Sequence, residues 1–143
     1  MIAYIDTSAL AKCYIREPRS LDVLDWAEQR EDATTAALTL VEFRCLLACR
    51  RRAGQIDPSL ERRALAEFDN HVRGGAWHIH QVSFGDYASA RDLIDVLPAL
   101  PLRTLDALHL AAARAVSAIE FATSDKVQAE AARALGFNVF EFS

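Results

Sequence analysis

A short apolar segment at the start of the chain constrains the fold more than any other feature. It covers residues 1–5 and stops abruptly at Asp6, which is followed by Thr7 and Ser8. An apolar run of this length that ends at polar residues is typical of a buried strand. Ligands of open parallel sheets bind beyond the carboxyl ends of the strands. We therefore expect Asp6 at a functional edge of a sheet, with Ser8 capping the helix that follows.

The rest of the chain alternates between short apolar strands and longer helical segments. Further strands are predicted at residues 33–38, 77–82, 119–123 and 138–142. Helices are predicted at residues 9–15, 21–29, 40–52, 58–71, 83–97, 105–116 and 126–135, and Ser83 with Asp86 is predicted to form a capping box at the start of the helix 83–97. This alternation implies right-handed crossovers and a parallel sheet covered by helices on both faces. The predicted fold is a single α/β domain over residues 1–143, with four to five parallel strands.

Composition excludes several classes of protein. A chain of 143 residues with a net charge of −4 is the size of one domain and lacks the global basic field of an architectural nucleic-acid binder. Any nucleic acid must therefore meet a local basic patch. No run of about 18 apolar residues is present, which argues against a membrane protein. Three cysteines without a CxxC pair, and no secretory segment, predict a cytoplasmic protein with reduced thiols.

Acidic residues recur at strand-to-helix junctions or in the first turn of predicted helices. The four acids in question are Asp6, Glu42, Asp106 and Asp125. If all strands point the same way, these junctions share one edge of the sheet, and the carboxylates can converge although they are far apart in sequence. Converging like charges need a cation, and a ligand set made only of oxygen favours Mg²⁺ or Mn²⁺ over Zn²⁺. Such an ion typically holds a phosphate.

The same acids can also be interpreted as helix caps. Thr39 and Glu42 fit a capping box, a motif that by itself contributes about 0.5–2 kcal/mol to helix stability. The metal interpretation is favoured because Asp6 and Asp125 each end an apolar strand, where Ser, Thr or Asn could cap equally well. From these residues alone, both interpretations stay open.

Four fragments of the sequence, taken in order, resemble a known family. They are YIDTSAL at residues 4–10, TLVE at 39–42, LDALHLA at 105–111 and TSD at 123–125. Their order and separation are similar to those of the PIN-domain nucleases, and within them to the VapC-like toxins of type II toxin–antitoxin modules. The resemblance covers the whole chain.

The resemblance implies a fold, an activity and a set of partners. The fold is a Rossmann-like parallel sheet, and the activity is metal-dependent endonucleolytic cleavage of RNA that leaves 5′-phosphate and 3′-hydroxyl ends. The candidate catalytic and Mg²⁺- or Mn²⁺-binding residues are Asp6, Glu42, Asp106 and Asp125, with Ser8 and Ser124 as supporting polar residues. The implied partners are a cognate antitoxin, whose helix lies in an apolar groove, and a second copy of the chain in a homodimer.

Three alternative functions can be compared with this one. A housekeeping PIN-domain nuclease of RNA processing would often carry further domains. A non-catalytic Rossmann-like binding module would be expected to carry a glycine-rich phosphate loop, and the sequence has neither GxGxxG nor a Walker loop. A phosphatase with an aspartyl nucleophile would need a second acid two residues after Asp6, where this chain has Ser8.

A few other residues could take part in binding. A basic run on or just after the predicted helix 40–52 could contact an RNA backbone or form a solvated face: Arg44, Arg50, Arg51 and Arg52. Cys45 and Cys49 are predicted to pack in the core. His78 and His80 are predicted to have a packed or edge role on a strand. His109 lies one turn after Asp106 and could approach the same site, although the family fragment does not make it a metal ligand.

Overall fold

The computed structural model describes residues 1–143 as an α/β fold with a five-stranded sheet. The strands are β1 (Ala3–Ile5), β2 (Ala33–Ala36), β3 (His78–His80), β4 (Glu120–Thr123) and β5 (Asn138–Glu141). They lie in the order β3-β2-β1-β4-β5, and every neighbouring pair is parallel. The predicted fold class is therefore confirmed, with five strands.

Seven α-helices connect the strands. They are α1 (Thr7–Leu10), α2 (Ser20–Glu28), α3 (Leu38–Arg52), α4 (Pro58–Arg73), α5 (Phe84–Val96), α6 (Thr104–Ala115) and α7 (Lys126–Ala134). All seven predicted helices exist, and apart from the end of the first helix their ends lie within two residues of the predicted ones. The first is a four-residue α-helix followed by a 3₁₀ turn at Ala11–Cys13. The third begins at Leu38, because Ala37 already has helical backbone angles and ends the preceding strand early.

The strand order creates a crevice at one edge of the sheet. β1 is central, the chain first adds β2 and β3 on one side of it, and then crosses over to add β4 and β5 on the other. Such a change in the direction of sheet growth leaves room beyond the carboxyl ends of the strands at the switch point. Asp6 directly follows β1 and Asp125 lies two residues after β4.

Helices cover both faces of the sheet, and the residues of β1 alternate between them. Ala3 and Ile5 join a core cluster with Phe43 of α3, on the face covered by α1–α4. Tyr4 joins the opposite cluster with Leu110 of α6, on the face covered by α5–α7. Because successive side chains of a strand point to opposite faces, this alternation is what a sheet buried on both sides requires.

The cysteines of α3 are exposed, so the prediction that they pack in the core is wrong. Phe43 and Leu47 are the buried residues of this part of the helix. With 3.6 residues per turn, Cys45 and Cys49 lie about 200° around the helix from these two positions. The buried face of α3 therefore lies roughly opposite the two thiols.

Two further predictions on polar residues are confirmed. Ser83 and Asp86 form a reciprocal capping box at the start of α5. His78 and His80 lie on β3, an edge strand, where His80 Nε2 is 2.7 Å from Asp86 Oδ2.

None of the helices combines the length and apolar character that crossing a membrane would need.

Candidate active site

A cleft of about 690 Å³ lies beside the carboxyl ends of the central strands. All four of the predicted acids, Asp6, Glu42, Asp106 and Asp125, line this cleft. They come from four separate places: the start of α1, the second turn of α3, the first turn of α6 and the start of α7. Tyr87, Arg103 and His109 line the same cleft. The parallel topology thus brings together carboxylates that span almost the entire sequence.

Asp6 is the most buried of the four acids, with 4% of its surface exposed. It is itself the N-cap of α1, because its Oδ1 accepts a hydrogen bond from the backbone N–H of Ala9. The expectation that Ser8 caps this helix is wrong, since Ser8 lies within α1 and donates to Asp6 Oδ1 at 2.7 Å. Thr123 donates to Asp6 Oδ2 at 2.5 Å. Burial raises the pKa of Asp6, although His109 and these hydrogen bonds oppose the shift.

The raised pKa of Asp6 predicts an effect of pH on the metal-free protein. A carboxyl group whose pKa is higher in the folded state stabilises the fold when protonated, and this contribution is lost as the pH rises through the folded value. We expect wild type in EDTA to lose stability relative to Asp6→Asn as the pH rises from about 4 to about 7. Thermal unfolding of both proteins across this range measures the effect. A difference in melting temperature that is independent of pH would contradict it.

Glu42 lies in the second turn of α3, where its carboxylate is held from two sides. Its Oε1 accepts a hydrogen bond from the Thr7 hydroxyl at 2.7 Å and lies 2.7 Å from His109 Nε2. Burial alone would raise the pKa of Glu42, but His109 and Thr7 together lower it. The predicted capping box of Thr39 and Glu42 is absent, because α3 begins at Leu38 and both residues lie inside the helix.

Asp106 and Asp125 both contribute to the caps of their helices. Asp106 Oδ2 accepts from the backbone N–H of Arg103 at 3.1 Å, and Asp125 Oδ1 accepts from the backbone N–H of Gln128 at 2.9 Å. Gln128 also links the two acids, because its side-chain amide donates to the backbone carbonyl of Asp106 at 3.0 Å. The cap interpretation is therefore correct for Asp6, Asp106 and Asp125. It leaves Asp106 Oδ1 and Asp125 Oδ2 without a hydrogen bond to the protein.

The donor chemistry of the cleft fits a hard divalent cation. Its candidate ligands are carboxylate oxygens, which suit Mg²⁺ and Mn²⁺. Glu42, Asp106 and Asp125 each keep one oxygen free of protein hydrogen bonds, and Asp6 accepts three hydrogen bonds where a carboxylate offers about four sites. The arrangement is open: no group of three or more Asp, Glu, His or Cys side chains is preassembled to hold an ion. Binding would have to draw the carboxylates together.

The two supporting serines lie beside Asp6. Ser8 Oγ donates to Asp6 and accepts a hydrogen bond from the backbone N–H of Ser124 at 3.0 Å. Ser124 therefore contacts the site through its backbone, while its own hydroxyl is buried without a partner. This pair connects the start of α1 to the loop after β4.

The arginines of α3 lie away from the lining of the cleft. Arg44 and Arg51 both form ion pairs with Glu61 of α4, at 3.4 Å and 2.8 Å, and Arg50 pairs with Glu17 at 2.7 Å. Arg52 donates to Cys49 Sγ. By contrast Arg103, which no sequence pattern singled out, lines the cleft with its side chain 82% exposed. RNA contact by the α3 arginines stays a prediction.

Sequence reasoning named Ser8 and Ser124 but missed the part that threonine hydroxyls play around the carboxylates. Thr123 holds Asp6, and Thr7 holds Glu42. Thr7 is further bonded to Thr39, and Thr39 to Thr35. The sequence held one signal for Thr7 and Thr123: both lie at or just after the carboxyl end of a strand, close to Asp6 and Asp125 respectively. The role of Thr39 had no such signal, because its partners lie on other elements.

The chain belongs to the PIN-domain family, whose family model matches residues 3–134. Ribonuclease VapC47 of Mycobacterium tuberculosis is 29% identical, over 94% of this chain and 92% of its own length. The predicted resemblance to VapC-like toxins is thereby confirmed.

Solved structures of low sequence identity share the fold. VapC20 of Mycobacterium tuberculosis, a toxin that cleaves the sarcin-ricin loop, superposes with a TM-score of 0.72 at 20% identity, covering 94% of this chain and 95% of that one. VapBC2 of Rickettsia felis, bound to a DNA fragment from its promoter, gives a TM-score of 0.71 at 14% identity, with both chains fully covered.

Proposed function

We propose that this protein is the toxin of a VapC-like toxin–antitoxin module, an endoribonuclease that depends on Mg²⁺ or Mn²⁺. The single observation that carries the proposal is the cleft, which four carboxylates from four separate elements line together. Helix capping explains the cap contacts of Asp6, Asp106 and Asp125, but it does not require that these residues face one cleft. It also gives no reason for Glu42, which caps nothing.

We propose a role for each of the four carboxylates. Asp6 and Asp106 are proposed as the central ligands of the ion, with Glu42 and Asp125 completing the site directly or through water. An ion held by these residues would supply charge neutralisation for the phosphate and would favour attack by water. The chain's own contribution is to fix these oxygens: Thr123 and Ser8 orient Asp6, and Gln128 ties Asp106 to Asp125.

The substrate is proposed to be single-stranded or looped RNA. Arg103 is well placed to contact its backbone, since the side chain is exposed at the rim of the cleft. Arg44, Arg50, Arg51 and Arg52 are proposed as secondary contacts, for which the ion pairs of Arg44 and Arg51 with Glu61 and of Arg50 with Glu17 would have to open.

The proposed partners are an antitoxin and a second copy of the chain, in the cytoplasm. The relatives favour a toxin over a housekeeping RNA-processing nuclease, because they include toxin–antitoxin assemblies that match over the full length of this chain. An antitoxin gene immediately beside the gene of this protein would support the same choice.

The test is RNA cleavage by the purified protein under controlled metal conditions. We expect cleavage of single-stranded or looped RNA with Mg²⁺ or Mn²⁺, no cleavage in EDTA, and recovery when either ion is restored in excess. The cleavage products are resolved by denaturing gel electrophoresis. Undiminished cleavage after thorough chelation, or activity with Zn²⁺ alone, would show that the metal assignment is wrong.

A further inference from the structure

Two chains of hydrogen bonds end on the same oxygen of Glu42. The first consists of hydroxyl groups: Thr35 Oγ1 lies 2.9 Å from Thr39 Oγ1, which lies 2.9 Å from Thr7 Oγ1. Thr7 then donates to Glu42 Oε1 at 2.7 Å. The three threonines are buried, and they belong to β2, α3 and α1. This series of hydrogen bonds reaches Glu42 from the side of β2.

The second series of hydrogen bonds reaches Glu42 through a buried pair of aromatic side chains, Tyr4 and His109. Tyr4 of β1 has no exposed surface, and its hydroxyl lies 2.7 Å from His109 Nδ1. His109 is 3% exposed, and its Nε2 lies 2.7 Å from Glu42 Oε1. The two rings also meet edge to face, with centroids 5.8 Å apart.

The partners define which group donates at each step. A carboxylate only accepts, so Thr7 donates its one proton to Glu42 and accepts from Thr39, which in turn accepts from Thr35. The phenol of Tyr4 carries one proton, and its hydroxyl lies within hydrogen-bond distance of His109 Nδ1. When the Tyr4 hydroxyl donates to Nδ1, the neutral imidazole of His109 carries its proton on Nε2 and donates it to Glu42.

We propose that Tyr4 and His109 are positioning residues for Glu42. They fix Oε1 and the plane of the carboxylate, so that Oε2, which has no hydrogen bond to the protein, is presented to the divalent ion. His109 does not ligate the ion itself, because both of its ring nitrogens are occupied by Tyr4 and Glu42. This inference rests on the proposed function, since it requires Glu42 to bind a metal ion.

The surroundings of the pair argue against a merely structural histidine. Tyr4 lies in an apolar cluster with Phe121 and Leu110, where burying a phenol and an imidazole costs more than burying an apolar pair of the same shape. The hydrogen bonds satisfy these groups, and the network they form ends at a carboxylate in the cleft. Residues that orient a metal ligand in this way typically contribute 10- to 100-fold to metal affinity or activity.

A second Tyr–His pair in the same protein supplies a matched control. Tyr14 is also buried, and its hydroxyl lies 2.6 Å from His71 Nδ1 and accepts a hydrogen bond from Trp77 Nε1. This network ends at His71, which is exposed, and none of its members lines the cleft. Tyr14→Phe and Tyr4→Phe therefore remove the same group from the same kind of pair, but only one of the pairs leads to Glu42.

The experiment measures the binding of Mn²⁺ alone, without RNA, by calorimetric titration or by electron paramagnetic resonance. We expect Tyr4→Phe to weaken Mn²⁺ binding about tenfold or more, and Tyr14→Phe to leave the dissociation constant unchanged. In a Glu42→Gln background, Tyr4→Phe should cause no further loss, because its effect passes through Glu42. Additive losses would overturn the inference.

Variants of His109 decide the question independently if Tyr4→Phe does not fold. The amide of His109→Gln can donate from near the position of Nε2, whereas His109→Leu cannot donate at all. We expect His109→Gln to bind Mn²⁺ more tightly than His109→Leu. Equal affinities of these two variants, or wild-type affinity of a folded Tyr4→Phe protein, would contradict the inference. If wild type itself does not bind Mn²⁺, the proposed function fails instead.

Discussion

Asp6→Asn is expected to lower metal-dependent RNA cleavage by about a hundred- to a thousandfold while the fold stays intact. Asparagine keeps the shape of the side chain, and its oxygen can still accept the hydrogen bonds of Ser8 and the Ala9 N–H that cap α1. It removes the negative charge that a divalent ion requires. Initial rates of RNA cleavage, measured with Mg²⁺ or Mn²⁺ in excess, report the loss.

Asp69→Asn is the matched control for the loss of one negative charge. Asp69 is exposed on α4 and does not line the cleft, so this variant should cleave RNA like wild type. Growth gives a second measurement. Expression of wild type without its antitoxin should arrest growth, whereas expression of Asp6→Asn or Asp106→Asn should not. Equal growth arrest by wild type and both variants would mean that catalysis is not its cause.

Magnesium is expected to stabilise the wild-type fold by about 2.7 kcal/mol when the ion is present at a hundred times its dissociation constant. The reason is that the ion binds the carboxylates of the folded cleft and finds no such site in the unfolded chain. Asp106→Asn should gain much less. In EDTA this variant should melt no lower than wild type, because the asparagine oxygen can still accept the N–H of Arg103. Thermal unfolding of wild type and of Asp106→Asn, each in EDTA and in excess Mg²⁺, measures the four stabilities that are compared.

Asp57 provides the control for a carboxylate that is only a cap. It is the N-cap of α4, where it accepts from the N–H of Leu60, and it does not line the cleft. Asp57→Ala should therefore lose about 1 kcal/mol in both buffers and keep the full gain from Mg²⁺. If Asp106→Asn instead behaves like Asp57→Ala, Asp106 is a structural residue and the proposed four-carboxylate site is wrong.

The electrostatic strain of the metal-free site is carried mainly by one residue. Carboxylates gathered in one site repel one another, which favours a raised pKa for at least one of them. The pKa of Asp6 is raised, but burial is the principal cause, and none of the largest contributions comes from another acid. The pKa of Glu42 is lowered, because His109 and Thr7 stabilise its charged form.

Local patterns in the sequence determined the element order and therefore most of the fold. Apolar runs of strand length, helical periodicity, and caps such as Ser83 with Asp86 depend on neighbours within a few residues, so the sequence alone carries them. The alternation of strands and helices then leaves few topologies beyond a parallel sheet. In that topology the acids at strand ends share one edge, which is why Asp6 and Asp125 could be assigned to the same cleft.

Tertiary structure decided which side chains meet, because helical phase and long-range partners are not encoded locally. The packing of Phe43 and Leu47 into the core sets the rotation of α3, which leaves Cys45 exposed and turns Glu42 towards Thr7. The bond between Tyr4 and His109 joins residues 105 positions apart and exists because α6 packs over the face of β1 that carries Tyr4. No periodicity or spacing in the sequence could have identified either contact, since each depends on how whole elements pack.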